Sequence, residues 1–336
     1  MPPQTDGADT VDPYRLAFKE LRKDLSDQGL LKRSSLGFWL DGIPLAVGLT
    51  ATIYYLQDLP FYLAAVLMGF LVHKCGILGH DASHGYFFKS DKINKLFAVL
   101  LMDVWGGVGS YYWHQFHDRL HHMHTFTVGT DLDIQTAGGA FSPVKTWPAA
   151  VMKFQHIYYW VLFPFIIPVF IKDSLEMIWK KMGPQDRALA VVRKATLLIW
   201  PSYLVSVFGW GPGLLFWAIQ LSVSGFFVHM IFMPNHFGLK PFTAEEEKDM
   251  SWLERQLRSS RNLSGGAFAF WFYGGLNRQV EHHVFPTVPR HHWRKIEVAL
   301  KAVCQKYELP YYEVTPWQSY VEIYRCLKHD EFIAVG

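Results

Sequence analysis

Cysteine is scarce in this 336-residue chain, and the three present (Cys75, Cys304 and Cys326) form no CxxC or CxxCH pattern. A disulfide scaffold, a zinc knuckle and a c-type haem are therefore not indicated. Charge is also sparse: Asp, Glu, Lys and Arg make up 18% of residues and the net charge is only +3. With the basic residues scattered, the chain lacks the electrostatic footprint of a nucleic-acid binder. No internal repeat or low-complexity tract is present. The first dozen residues are polar and acidic, so they are expected to be disordered, and they lack the basic then apolar pattern of a cleaved signal peptide. Membrane insertion, if it occurs, must rest on internal segments.

What the chain has instead is apolar length. Hydrophobic residues reach 50% and aromatics 16%, with 13 Trp, and mean hydropathy is +0.07; this is too apolar for an ordinary soluble protein and rich in the residues favoured at bilayer interfaces. Tyr14 to Arg33 reads as an amphipathic basic segment on a membrane surface. Leu36 to Leu56 and Phe61 to about Leu78 are long enough for a spanning hairpin, and Ala188 to Phe208 with Pro212 to Met233 form a second, joined by Gly209, Trp210 and Gly211. Neither joining turn carries Lys or Arg while the outer flanks are basic, which places both termini in the cytoplasm. Leu96 to Val108 and Ile157 to Ile171 are too short or too interrupted to span and read as interfacial. Residues 243 to 261 read as charged and soluble, and helical periodicity returns around Ile296 to Val303.

The 16 histidines are unevenly placed. Five fall between Trp113 and Thr125, where α-helical spacing would align His114, His117, His121 and His124 in one stripe, with His122 a step round. Buried imidazoles need partners, and a metal is an economical one. His80 and His84 stand four apart at the expected cytoplasmic end of the second span, and His282 and His283 close the run from Asn277.

The order HxxxH, HxxxHH, QxxHH resembles the three histidine boxes of the membrane fatty acid desaturase and hydroxylase superfamily. Gln279 in place of the first histidine of box three, followed by Val284, Phe285, Pro286, Thr287, Val288, Pro289 and Arg290, resembles the QxEHHLFPxxPR signature of front-end acyl desaturases and their bacterial relatives. The resemblance covers roughly residues 65 to 315. It implies an all-α membrane protein with four transmembrane helices in two hairpins and a cytosolic histidine-rich helical cap holding a di-iron centre. The corresponding divisions are an N-terminal cytosolic or interfacial segment at 1–35, the desaturase domain at 36–315, and a cytosolic tail at 316–336.

By the same resemblance the ligands are His80, His84, His117, His121, His122, His282 and His283, with an eighth at His236, preferred to His229 two turns earlier. His114 and His124 remain possible extra ligands. Gln279 is expected to serve the cofactor through a water or by hydrogen bonding to a ligand histidine. Asp81, Asp118 and Glu281, each beside a box histidine, and Asp131 and Asp133, which resemble an acidic tail after box two, are either orienting groups or solvated acids. Implied co-reactants are two Fe ions, O2, an acyl-lipid or acyl-CoA substrate, and a separate electron donor (ferredoxin or cytochrome b5 with its reductase), since no haem-binding HPGG motif is present. The implied reaction is acyl desaturation. Hydroxylation would use the same ligands. A membrane zinc protease is disfavoured because Asp81 stands where HExxH requires Glu, and a metal transporter because the histidines gather at helix ends.

Overall fold

The computed structural model describes residues 12–131 and 148–336. The expectations for Asp133 and for the first eleven residues fall outside them.

The first helix, α1 (Pro13–Asp27), starts where Asp12 accepts the amide of Tyr14 and proline occupies the first helical position, a combination that satisfies an orphan donor and presets the dihedral. Its apolar face, Ala17, Leu21 and Leu25, is fully buried. That face is turned into the protein, so the segment expected on the membrane surface presents outward mainly its charged side, with Leu16 the large apolar side chain left exposed.

The membrane hairpins follow. Helices α2 (Leu36–Tyr54) and α3 (Phe61–Ser83) form the first. After α4 (Asp91–Ala98) and a π-helical stretch at Val99–Gly106 comes the short α5 (Ser110–Trp113), which runs into a second π-helical stretch at His114–His121. Past the undescribed residues are α6 (Ala149–Met152), α7 (Gln155–Leu162) and α8 (Ile166–Lys181), the last two separated by a 3-10 turn at Phe163–Phe165 that carries Pro164. Helices α9 (Pro184–Ala195), α10 (Ile199–Phe208) and α11 (Trp210–Phe232) complete the second hairpin. Among the described residues four segments, 36–54, 61–83, 190–208 and 210–235, are long and apolar enough to cross a bilayer, in agreement with the sequence expectation. The second hairpin turns at Gly209 alone, because its φ of +83° reverses the chain in one residue; Trp210 and Gly211 already belong to α11.

Phe61 at the start of α3 packs on Phe208 and Phe216, so both hairpin tips lie at one end of the bundle and the histidine-bearing ends of α3 and α11 at the other. Side chains such as Leu40, Val47, Leu63, Ile199 and Leu214 are exposed around it; they form the belt a lipid phase covers. Between α3 and α11 the contact is backbone-close. A Cβ on Gly69 would sit 2.7 Å from Val223 Cβ and 2.8 Å from the Gln220 carbonyl, the small-residue approach on which membrane helix packing depends. Gly69→Val is expected to destabilise the bundle by about 1–3 kcal/mol, read as a lowered melting temperature in detergent.

Over the bundle's histidine end lie α12 (Ala244–Asp249), α13 (Trp252–Ser259), α14 (Ala267–Phe272), α15 (Gln279–Val284), α16 (Trp293–Lys306) and α17 (Pro316–His329). Two short strands, β1 (Asn262–Leu263) and β2 (Glu313–Val314), pair in parallel. The shared core joins Leu21 and Leu25 of α1 to Leu253, Leu257, Val280, Trp293 and Leu300. Burial of these side chains, each contributing about 1.5–3 kcal/mol, fixes the cap over the helix ends.

Candidate metal centre

The second histidine cluster departs from the expected α-helical stripe. Residues 114–121 are π-helical, and the amide of His122 donates to the carbonyl of His117 five residues back. In an α-helix His122 would point well away from His117; the wider turn brings it back over His117, with His121 alongside. His114 and His124 are turned outward. Nδ1 of His114 bonds Asp118 at 2.9 Å, and Nδ1 of His124 bonds Glu247 at 2.6 Å.

Two compact groups of nitrogen donors result. His80, His84, His117, His122 and His282 form one; His121, His236 and His283 form the other, and within each group the donor atoms lie within 4.8 Å of one another. All eight are buried. The groups adjoin: His122 stacks on His283 with ring centroids 4.4 Å apart, and His117 on His121 at 5.0 Å. The structure thus gathers every histidine singled out as a ligand. His229 is left outside, stacked on Phe163 and set edge-on to Tyr159.

In the three-histidine group each ring is held by its outer nitrogen. His121 Nδ1 bonds Asp131 at 2.9 Å, His236 Nδ1 donates to the Ser259 carbonyl at 2.8 Å, and His283 Nδ1 bonds Gln256 Oε1 at 3.1 Å. The Nε2 atoms thereby turn toward one another, that of His236 also within 3.0 Å of Gln279 Nε2. In the larger group His80 Nδ1 bonds Asp81 at 3.1 Å, while its Nε2 lies 3.2 Å from Nε2 of both His84 and His117. Neither nitrogen of His122 or of His282 has a hydrogen-bond partner, nor does Nε2 of His283. Buried, unpartnered and convergent lone pairs are costly unless a cation takes them up, so the donor set fits a metal centre of two adjacent sites.

Electrostatics agree. Burial holds His117, His122, His282 and His283 far below the usual imidazole range, with neighbouring imidazoles adding to the effect. Burial also lowers His84 to about 4 and His236 to about 3. These rings are neutral at pH 7, the form that ligates metal. For the metal-free protein the sign follows: the folded state binds fewer protons than the unfolded one, so stability is full above about pH 6.5 and falls as acid is added. For His84 and His236 the loss continues to about pH 4 and about pH 3, at about 1.4 kcal/mol per pH unit each. Denaturant midpoints of metal-free protein between pH 7 and 4 check this.

The acids divide. Asp81 is fully buried and its second oxygen lies 3.1 Å from Arg290 Nε; Arg290 in turn reaches Asp41 and donates to the Gly274 carbonyl. Asp131 accepts from the Phe126 amide as well as meeting His121. Asp118 lies 3.6 Å from His84. Glu281 touches no histidine: it accepts from Tyr311 and Asn262, and burial pushes its carboxyl up to about 7. Gln279 Nε2 sits 3.0 Å from His236 Nε2, and its Oε1 accepts from Asn235.

Several contributors carried no sequence signal. Gln256 and Ser259 belong to the segment read only as charged and soluble, yet they orient His283 and His236. Arg261, fully buried, holds the turn bearing His236: its amide donates to the Asn235 carbonyl at 3.0 Å, and its side chain donates to the carbonyls of Pro234 and Phe237 and pairs with Glu322 of α17.

An apolar cavity lies against His117, His121 and His236, walled by Phe170, Val228 and Phe232. Trp113, Phe170, Val228 and Phe232 also line a second cavity that reaches Val72, Gly76 and Ile167 between α3, α8 and α11. The two cavities share these four walls, one against the imidazoles and the other inside the bundle.

Residues 58–315 match the family model described as "Fatty acid desaturase". The chain is 28% identical over 309 residues to "Delta(8)-fatty-acid desaturase 2" of Arabidopsis thaliana, covering 86% of this chain and 68% of the relative. Against "Delta(5) fatty acid desaturase fat-4" of Caenorhabditis elegans it is 26% identical over 313 residues, covering 88% and 69%. "Fatty acid desaturase 3" of Bos taurus is 30% identical over 331 residues, covering 93% and 72%.

Proposed function

This chain belongs to the fatty acid desaturase family, and on that premise we propose that it is an integral membrane oxidoreductase that uses two irons, O2 and an external electron donor to introduce a C=C bond into an acyl-lipid or acyl-CoA chain. The observation that carries the reading is the meeting of eight buried histidines, in adjacent groups of five and three, with apolar cavities against them and inside the bundle.

When bound, the irons supply an O2-derived oxidant strong enough to take hydrogen from an unactivated methylene, which no side chain can do. The chain's own residues do the rest. Asp81, Asp131, Gln256 and the Ser259 carbonyl fix the ring orientations by holding the outer nitrogens. Gln279, within hydrogen-bond reach of His236 Nε2, serves the centre through that ring. Trp113, Phe170, Val228 and Phe232 hold an acyl chain extended and exclude water from the reacting carbons. The basic outer flanks, including Arg33, Lys89, Lys92 and Lys95, and the absence of Lys and Arg from both hairpin turns support a cytoplasmic position for the histidines and both termini. In this reading the desaturase domain is 36–315, flanked by cytosolic segments 1–35 and 316–336.

The test is metal analysis of purified protein together with product analysis on a supplied acyl chain. Two irons per chain and an alkene are expected; an alcohol would identify a hydroxylase, and a single zinc with no lipid product would overturn the reading. Val228→Trp, which narrows both cavities, is expected to cut conversion of a long chain by about 10-fold or more with metal content unchanged, as gas chromatography of products against bound iron will report.

A further inference from the structure

Desaturation by O2 has a fixed balance: the chain loses two hydrogens, O2 takes these together with two electrons and two protons from outside, and two waters form. The two electrons must cross the cap to reach the buried imidazoles. We propose that they arrive at the groove between α1 and α13, which docks an acidic one-electron carrier protein and passes each electron inward through Trp252. The proposal rests on the desaturase reading above.

Three observations converge on this groove. The first is charge. Arg15, Lys19, Arg22 and Lys23 line it, and no carboxylate is among the described residues that do. All four are exposed, the side chains of Arg15 and Lys23 by more than three quarters. Their ion pairs with Asp12 and Asp27 are long, 3.4 and 3.6 Å, and at such exposure these contribute little, leaving the cations available to a partner. The second is the missing apolar rim. With Ala17, Leu21 and Leu25 buried in the cap, the one large apolar side chain that α1 leaves exposed is Leu16, too little to insert between lipids, whereas a basic face beside a half-buried aromatic suits an acidic protein surface.

The third is the connection inward. Trp252 lines the groove, and its indole Nε1 donates to the carbonyl of Val284 at 3.2 Å; Val284 directly follows His283. One hydrogen bond and one residue of backbone therefore join the groove to an imidazole of the three-histidine group. Phe18, also in the groove, stacks on Phe285 with ring centroids 5.7 Å apart, so the segment after box three is held against this surface by one hydrogen bond and one aromatic stack. In each transfer the carrier is oxidised by one electron and the metal centre reduced by one, twice per double bond formed.

Binding is measured by calorimetry on full-length protein in lipid discs, using a soluble cytochrome b5 domain and a [2Fe–2S] ferredoxin in turn, at low and at high salt. The charge reversal R15E/K19E/R22E/K23E is expected to weaken binding of the carrier that supports turnover by about 10-fold or more at low salt, with circular dichroism and bound metal unchanged. The reversal K92E/K95E/R119E in a second basic groove, beside His114, is expected to leave binding unaltered. Trp252→Phe is expected to keep the affinity and slow oxidation of the bound carrier in stopped flow by about 10-fold.

The proposal is overturned if neither carrier binds, if the loss of affinity follows the Lys92, Lys95 and Arg119 set, if Trp252→Phe leaves carrier oxidation unchanged, or if anionic lipid instead of the carrier protects α1 from hydrogen exchange. A chemical reductant separates the two layers. Alkene formed with dithionite and O2 alongside a negative docking result removes the proposal alone, whereas no alkene under either reductant removes the desaturase reading beneath it.

Discussion

His121→Ala is expected to leave a protein that inserts and folds but holds close to one metal ion per chain and has lost desaturation by about 1000-fold or more, equivalent to about 4 kcal/mol of barrier. The asymmetry of the two groups is the reason. His121 is one of only three imidazoles in its group, whereas His80 is one of five in the other; removing one donor from three leaves two, fewer than a closed inner sphere uses. The same change strands Asp131, whose Oδ2 meets His121 Nδ1, as a buried carboxylate with one ring fewer to face. His80→Ala leaves four donors in its group and is expected to retain more metal than His121→Ala. Loss of an orienting group costs less: Gln256→Ala, which frees His283 Nδ1, is expected to weaken metal affinity by about 10–100-fold. Elemental analysis across the three variants, scored against alkene yield, checks the order.

Arg261→Met is expected to be the most destabilising single change outside the histidines, by about 3–5 kcal/mol, because it leaves Glu322 buried without its counter-charge. It also releases the carbonyls of Pro234 and Phe237 on either side of His236, so the three-histidine group should lose metal as well. The double variant Arg261→Met with Glu322→Gln separates the effects. Removing the stranded carboxylate is expected to restore much of the melting temperature, whereas the turn carrying His236 stays unheld and metal occupancy stays low. Full recovery of both quantities would assign Arg261 a role in charge balance alone.

What was legible in the sequence follows from how local each cause is. The four spans could be read because twenty apolar residues in a row are a linear signal, and their bounds agree with the structure to within a few residues. The seven box histidines could be named because the order HxxxH, HxxxHH, QxxHH resembles the family's boxes, and His236 because Asn235, His236 and Phe237 resemble the family's extra ligand position. The π-helical turn at 114–121 could not be read: its ridge pattern looks α-helical residue by residue, and only the His122 to His117 bond reveals the wider winding. Gln256, Ser259 and Arg261 were equally silent, since each acts on a histidine more than twenty residues distant and belongs to a stretch whose polarity is what any surface helix would have. Asp131 stood at the border. Its position after box two allowed either role, and burial against His121 decides it.

Glu322 lies on α17, long after the last histidine of box three in the order of synthesis. A nascent chain can therefore lodge both hairpins in the bilayer while the clamp on the His236 turn does not yet exist. A metal ion arriving during translation would meet an incomplete cradle, because the turn carrying His236 is held only once Arg261 has met Glu322 of α17.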